Sequence, residues 1–493
     1  MATASATIEH SDCLFIDGEW VHPSGGDWIE VITPSTEELY MAVPAAQAAD
    51  VNRAVAAARR AFDEGPWPRM SHAERAGYVR AIGEQIALRS NDLGEIWTSE
   101  TGATRSITDL LVPAFSEVYN YYASLADSFP FLERHHPKAG GNIGLLAREP
   151  VGVVAAIVAW NGPLGSIAYK CAPALLAGCT IIVKASPEAP SQAYAMAEIM
   201  EAVGLPKGVF NVLAADRDVS ELLVRHPGVD KVTFTGSSTT GRTIASICGG
   251  RMARFTMELG GKSAGVVLDD YDPEVIARSL AQTAPILSGQ VCSSLTRIIV
   301  TRGRQEALLE ALRETFSAIN VGDPFEPTIG MGPLATRRQR ERVEGYIQKG
   351  EAERARLVVG GRRPANLDRG FFIEPTVFGH VDNNMMIARE EIFGPVVSVI
   401  PVENEEEAIR IANDSEFGLN SSVFTNDANR AYEIARRLRT GTVGHNSFRS
   451  DFSIAFGGFK QSGIGREGGT EGLLPFLETK TIILDEEPAQ LAK

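Results

Sequence analysis

Cysteine is scarce. Five residues, Cys13, Cys171, Cys179, Cys248 and Cys292, are scattered through 493 positions, and no CxxC pair offers a zinc site or a disulfide exchange motif. Reduced thiols are expected. Long apolar runs are also missing: a stretch such as 151–159 falls well short of a bilayer span, so neither a transmembrane segment nor a membrane partner is expected. The first fifteen residues place Glu9, His10 and Asp12 where a signal peptide has a basic start and an apolar middle, which leads to the expectation of a cytoplasmic protein. There is no basic run, and a formal net charge of −15 repels phosphate backbones, so nucleic acid is not expected as a partner. The eight histidines form no HExxH. His135 and His136 sit in a Pro- and Gly-containing stretch that suits solvated imidazoles better than ligands, and no metal is expected.

What is present is the balance of a globular chain, 44% hydrophobic and 22% charged, and long enough for two or three cores. From residue 150 onward, short β-branched runs alternate with segments of helical period, the pattern of βαβ units around a parallel sheet. Strands are expected over 151–158, 180–184, 208–213 and 231–235, with helices over 192–203 and 219–225. Two amphipathic helices, 50–64 and 72–89, precede them and flank the same domain. A second alternating series follows residue 260, with strands over 264–268, 296–300 and 396–402 and helices over 304–319 and 405–413. The charged, Gly-bearing stretch 352–369 reads as a surface connection, and the strand-like 481–484 near the chain end is expected to pair with another element or subunit.

Several segments could carry chemistry. The stretch 229–241, VDKVTFTGSSTTG, reads as a strand, a Gly-bracketed turn and a helix start, an arrangement that lets a pyrophosphate approach backbone N–H groups. An ordinary tight turn fits that stretch equally well. Gly463, Gly465 and Gly468 spell GxGxxG, but no clear strand precedes them and Gly469, Gly472 and Pro475 interrupt the helix that should follow, so a flexible loop is expected. GKS at 261–263 lacks the first glycine of a phosphate-binding loop, since residue 256 is Thr. Cys292, in SGQVCSS after the helix-like 273–287, lies among small polar residues where a substrate can reach it, whereas Cys171, Cys179 and Cys248 lie in apolar segments. Glu258 closes an apolar strand, where an acid can simply be solvated.

Together these segments resemble the aldehyde dehydrogenase superfamily from about residue 14 to 484. The matching motifs, in order, are WNGP at 160–163, FTGS at 234–237, ELGGKS at 258–263, GQVC at 289–292, EEIFGPV at 390–396 and GGFKQSGIGRE at 457–467. The resemblance implies an α/β architecture with a Rossmann-like cofactor domain (1–127 and 150–259), a second α/β catalytic domain (260–457), a linking loop (458–477) and a small β oligomerisation element (128–149 and 478–493). It also implies a homodimer or homotetramer. Cys292 matches the nucleophile, Glu258 the general base, Asn161 the oxyanion-binding amide and Lys170 a residue near the proton path. Cofactor-binding positions are implied at Trp160, Lys184, Gly236, Ser237, Gly241, Leu259, Glu391 and Phe393.

The implied chemistry suits these residue types. An aldehyde resists giving up hydride until a thiolate adds to its carbonyl, and a thiol of pKa roughly 8.5 needs help to ionise at neutral pH. The Asn161 amide and the Cys292 backbone N–H would hold the oxyanion, a contribution of about 10²- to 10³-fold per donor. Glu258 would then activate water against the thioester. Relatives that pass the acyl group to coenzyme A generally lack a glutamate at that place, so a free carboxylic acid is the expected product. An inactive scaffold, or a module keeping only the dinucleotide fold, would have no need of Cys292, Glu258 and Asn161 together.

Two departures from the family pattern stand out: Gly162 replaces an aromatic after the asparagine, and Ala455 replaces a proline before FGG. Gly162 should widen the substrate entrance and favour a bulky apolar aldehyde, whether aliphatic, terpenoid or aromatic, with betaine aldehyde and semialdehydes left open. A third departure concerns the cofactor. Many NAD-preferring members carry a glutamate three residues after the ribose-binding lysine, but here Lys184 is followed by Ala185, Ser186 and Pro187, with the acid one place later at Glu188. No arginine stands close in sequence. NAD is therefore expected to be the better cofactor, with measurable use of NADP.

Overall fold

The computed structural model describes residues 8–491. Residues 1–7, part of the stretch read for a signal peptide, and residues 492–493, the end of the expected oligomerisation element, lie outside the described residues.

The strands Val153–Ile157, Thr180–Ala185 and Phe210–Ala214 are buried along their whole length. Continuous apolar runs of this kind form when helices cover both faces of a parallel sheet. These three join Lys231–Thr235 and Arg254–Glu258 in an eight-stranded sheet. Its order is Glu19–Val21, Leu14–Ile16, Phe210–Ala214, Thr180–Ala185, Val153–Ile157, Lys231–Thr235, Arg254–Glu258, Gly463–Ile464. The order reverses between Val153–Ile157 and Lys231–Thr235, and at such a switch point the loops leaving the carboxyl ends of the two strands part to leave a crevice.

Helices start where the side chains can satisfy free N–H groups. Ala48–Asp63 opens on a reciprocal cap, with the Gln47 N–H donating to Asp50 Oδ2 at 2.8 Å. His72–Leu88 opens on Ser71, which exchanges hydrogen bonds with Glu74. Ala48–Asp63 packs on the first sheet, whereas His72–Leu88 packs on the helices Arg105–Ser128 and Pro163–Ala177. The longer Arg105–Ser128 and the neighbouring Ser90–Thr101 were not legible in sequence.

A second, seven-stranded sheet runs Arg356–Val359, Thr376–Gly379, Val396–Val402, Leu295–Thr301, Ser263–Val267, Asn420–Phe424, Thr442–His445. All neighbours are parallel except Arg356–Val359. A three-stranded antiparallel sheet sets Ile143–Pro150 between Leu132–His135 and Leu477–Leu484.

Three expectations need correction. The helix expected through residue 287 is Pro273–Thr283, because the chain then enters a tight turn with Leu287, Ser288 and Gly289 at φ 48°, 55° and 72°. The surface connection at 352–369 carries the edge strand Arg356–Val359, which gains a partner only through tertiary contact. The stretch read as a flexible loop around Gly463 is an edge strand, Gly463–Ile464, pairing antiparallel with Met257 and Glu258. Among the described residues no helix is long and apolar enough to cross a membrane.

Candidate active site

The switch point supplies two loops. After Val153–Ile157 come Trp160, Asn161 and Gly162, then the helix Pro163–Ala177. After Lys231–Thr235 come Gly236 and Ser237, and the Ser237 hydroxyl accepts from the Thr240 N–H at 3.2 Å to cap the helix Ser238–Gly250. That helix thus presents its positive N-terminal end, with free N–H groups, at the mouth of the crevice. Gly241 lies in its first turn against Leu259, where a Cβ would come within 2.6 Å of the leucine side chain, so glycine permits the close packing. Lys184, level with Ile157 on the adjacent strand, is buried at the strand end. Burial lowers its pKa to about 8, against the opposing fields of Glu188 and Asp216.

The second sheet meets this edge with the opposite ends of its strands. Cys292 directly precedes Leu295–Thr301, and Glu391 and Phe393 precede Val396–Val402. The chain crosses between the sheets at 259–262. There the Gly261 N–H donates to Glu391 Oε1 at 3.1 Å, and Gly261 packs on the Cys292 carbonyl. Trp160 and Phe393 face each other edge to face, their centroids 5.3 Å apart.

Asn161 donates through its side-chain amide to the Gln290 carbonyl at 2.8 Å, which holds it against the cysteine-bearing turn. That turn is locked from behind. The Ser288 hydroxyl lies 2.9 Å from the carbonyls of Gly332 and Pro333, and Gln290 Oε1 accepts from the Ala335 N–H at 3.0 Å. Two non-glycine residues with left-handed backbone shortly before Cys292 are strain that the surroundings must over-determine, a common feature of functional turns. Cys292 is partly exposed, while the other four cysteines are buried. Desolvation pushes its thiol well above the usual value and the charges of Glu391 and Glu258 add to this, while the backbone N–H groups of Cys292 and Ser293 pull the other way.

Glu258 is not solvated at its strand end. It is 4% exposed, and its Oε2 has no partner. Burial first, and then the charge of Glu467, hold its carboxyl well above the ordinary carboxylate range, with Lys170 and Arg466 opposing. Lys170 is buried on Pro163–Ala177, donates to Thr235 Oγ1 at 2.7 Å and forms an ion pair with Glu467. Glu391 is pushed up to about 7 by burial.

An aromatic series leads away from Asn161. Trp97 donates to the Asn161 carbonyl at 3.0 Å and packs near Phe115, which meets Tyr169 edge-on. Tyr169 stacks on Phe452, and Phe452 on Phe456, each pair at 4.1 Å. A Cβ on Gly162 would meet nothing closer than Trp97 at 3.6 Å. These rings come from four separate stretches of chain, and no sequence pattern joins them. Of the residues singled out in the sequence, Cys292, Glu258, Asn161, Glu391, Phe393 and Trp160 converge on the crossing between the sheets, Lys170 joins through Glu467, and Lys184 stands at the other end of the cleft.

A doubly wound sheet whose switch-point crevice is closed by a second parallel sheet defines an α/β enzyme of the dinucleotide-binding type. The chain belongs to the aldehyde dehydrogenase family, whose family model, described as "Aldehyde dehydrogenase family", matches residues 20–482. Geranial dehydrogenase from Castellaniella defragrans is 43% identical over 97% of this chain and 99% of its own length. The crystal structure of a Mycobacterium tuberculosis aldehyde dehydrogenase complexed with NAD+ matches with a TM-score of 0.93 at 45% identity, covering 96% of this chain and 98% of that one. Aldehyde dehydrogenase C from Pseudomonas syringae, solved as a cysteine-to-alanine mutant with NAD+ and octanal, also gives 0.93 at 38% identity, covering 97% and 98%.

Proposed function

We propose that the chain oxidises a bulky apolar aldehyde to its carboxylic acid with NAD, through a thioester on Cys292 that Glu258 helps to hydrolyse. The observation that carries this reading is a buried carboxyl with an unpartnered oxygen within electrostatic reach of the one partly exposed thiol.

The residues present fit the cofactor. The capped N-terminus of Ser238–Gly250, with Gly236 and Ser237, suits a pyrophosphate, and Gly241 lets Leu259 pack closely beneath it. Lys184 suits a ribose hydroxyl, and Glu391, Trp160 and Phe393 suit the nicotinamide end. When bound, the nicotinamide supplies the two-electron acceptor that the oxidation requires. The Cys292 sulfur adds to the aldehyde carbon, and the oxyanion so formed is held by the Asn161 amide and the Cys292 N–H. That carbon would then give up a hydride, one proton with its two electrons, to the acceptor, leaving the thioester. Water then adds as Glu258 takes its proton, and collapse releases the acid and the Cys292 thiolate. Lys170, paired with Glu467, tunes the proton held at Glu258.

The substrate class rests on Gly162 and the aromatic series. Phe452 is sandwiched by Tyr169 and Phe456, so its faces are already covered, and the surface suits apolar chains better than a cation seeking an open ring. Geranial and octanal, named for two of the relatives, are of that apolar class, whereas other relatives, such as one from Rhizobium leguminosarum at 40% identity, are named for betaine aldehyde.

The same reading assigns cofactor binding to 1–127 and 150–259, catalysis to 260–457, linkage to 458–477 and oligomerisation to 128–149 and 478–493, supported by the three sheets that these segments build. A homodimer or homotetramer would cover the edges of the three-stranded sheet. A cytoplasmic location accords with five unpaired cysteines. The test is intact-mass spectrometry of Glu258→Gln after mixing with octanal and NAD: an octanoyl adduct should accumulate on Cys292 and be absent from Cys292→Ala. No adduct in the glutamine variant, or turnover by the alanine variant, overturns the thioester route.

A further inference from the structure

We infer that Asp12, Cys13 and His22 form a surface site for a divalent cation of the zinc class, assembled by the hairpin at one edge of the first sheet.

The register of that hairpin brings the donors together. Leu14 pairs with Val21, Phe15 with Trp20 and Ile16 with Glu19. Cys13 and His22 are the next residues across from one another, and directly opposed residues of an antiparallel pair point their side chains to the same face. The Cys13 Sγ lies 3.9 Å from His22 Nδ1, and a carboxylate oxygen of Asp12 completes a set of donor atoms all within 4.8 Å of one another. In a tetrahedral zinc site, bonds of roughly 2.3 Å to sulfur and 2.0 Å to nitrogen put those two atoms about 3.5 Å apart, so a cation requires only a slight closure here.

Both backbones are anchored independently of a cation. The Cys13 N–H donates to the His10 carbonyl at 3.2 Å, and the Arg53 guanidinium donates to the His22 carbonyl at 2.9 Å. Sulfur, imidazole and carboxylate together favour a cation such as Zn2+ over Mg2+ or Ca2+, which take sets of oxygens. Cys13 is buried while Asp12 and His22 are exposed, so the cation enters from solvent and three protein ligands leave its fourth position to water. Burial and then the charge of Asp12 push the Cys13 thiol up, and a cation held between the two groups offsets that repulsion as it displaces the thiol proton.

The hairpin lies at one end of the sheet order and the strand Arg254–Glu258 toward the other, so the site is separate from the catalytic cleft. Its effect is to tie the turn 10–13 to the strand Glu19–Val21. The three ligands have neither CxxC nor HExxH spacing, and strand pairing alone makes them neighbours.

The test titrates Co2+ into the full chain carrying Cys292→Ala, which removes the reactive thiol as a competing ligand. One Co2+ should bind per chain with a near-ultraviolet sulfur-to-cobalt charge-transfer band and the visible bands of tetrahedral cobalt, and Zn2+ should bleach them. Cys13→Ser should remove the charge-transfer band. His22→Ala and Asp12→Asn, both at exposed positions that the fold tolerates, should each weaken binding at least about tenfold. Zn2+ should also raise the melting temperature, and His22→Ala should abolish the rise. A charge-transfer band that survives Cys13→Ser, an affinity unmoved by both His22→Ala and Asp12→Asn, or no such band at saturating Co2+ overturns the site.

Discussion

At the scale of single residues, the proposed chemistry depends on Glu258 and Cys292, whose protonation is set by burial rather than by identity. Glu258 would ionise below neutrality in water, but desolvation and the nearby Glu467 charge favour its neutral form. The sign follows directly. A general base with a raised pKa gains its active, ionised form as pH rises, so steady-state turnover should climb with pH above the ordinary carboxylate range. Glu258→Gln should flatten that limb and slow steady-state turnover by about 10²- to 10⁴-fold, while a first burst of NADH survives. Stopped-flow absorbance across a pH series checks both, and a preserved pH limb in the variant would assign the base elsewhere. On the proposed reading Gly162 is the residue-scale determinant of the substrate. Because a Cβ at this position would have only Trp97 for a neighbour, Gly162→Phe should fit without disturbing the backbone and should lower kcat/KM about tenfold more for octanal or geranial than for acetaldehyde. Equal losses over chain lengths would contradict a widened entrance.

At the scale of elements, the segment 456–467 does more than connect. It is fixed to the first sheet by Gly463–Ile464 pairing with Met257 and Glu258, and by the Leu259 N–H donating to the Ser462 carbonyl at 3.0 Å. A further two-way backbone bridge joins Phe456 and Glu467. The strand bearing the proposed base and the segment bearing Glu467 are therefore one mechanical unit. Gly463 sits at φ +153°, and a Cβ there would lie 2.2 Å from the Met257 carbonyl oxygen. Gly463→Ala should cost about 1–3 kcal/mol of stability and depress turnover together, because the strain is applied one residue from Glu258. Calorimetric melting with parallel kinetics reads this out. An unchanged Tm with normal kcat would show that the edge strand is not holding the site.

At the scale of the whole molecule, the three-stranded sheet has Leu477–Leu484 and Leu132–His135 as its edge strands, and the proposed oligomer would use them against a second copy. Leu477–Leu484 pairs along its full length with Ile143–Pro150, and Ile483 and Leu132 remain 54% and 45% exposed. Such an edge pairs readily with another chain. Ile483→Lys places a charge on that apolar surface without touching either large sheet, and it should shift the assembly toward monomer by light scattering while far-UV dichroism is retained. An unchanged mass would move the interface elsewhere.

The sequence by itself determined the regular parts of this protein. Uninterrupted β-branched runs such as 180–184 can be satisfied only in a sheet covered on both faces, and motifs with fixed local geometry, such as FTGS or GQVC, carry their turn and their reactive side chain within a few residues. The resemblance carried by such motifs singles out Cys292, Glu258 and Asn161, and the structure brings the three to the crossing between the sheets. What only the tertiary structure decided are relations between distant positions: the burial that makes Glu258 more than a solvated strand end, the docking of Gly463–Ile464 on Met257, and the strand Arg356–Val359, which depends on a partner for its existence. The pairing of Glu188 with Arg338 and the stack of Tyr169, Phe452 and Phe456 belong to the same group. Each depends on desolvation or on contacts across long chain separations. Local periodicity and spacing carry no record of either, because both arise only once the two sheets have closed on one another.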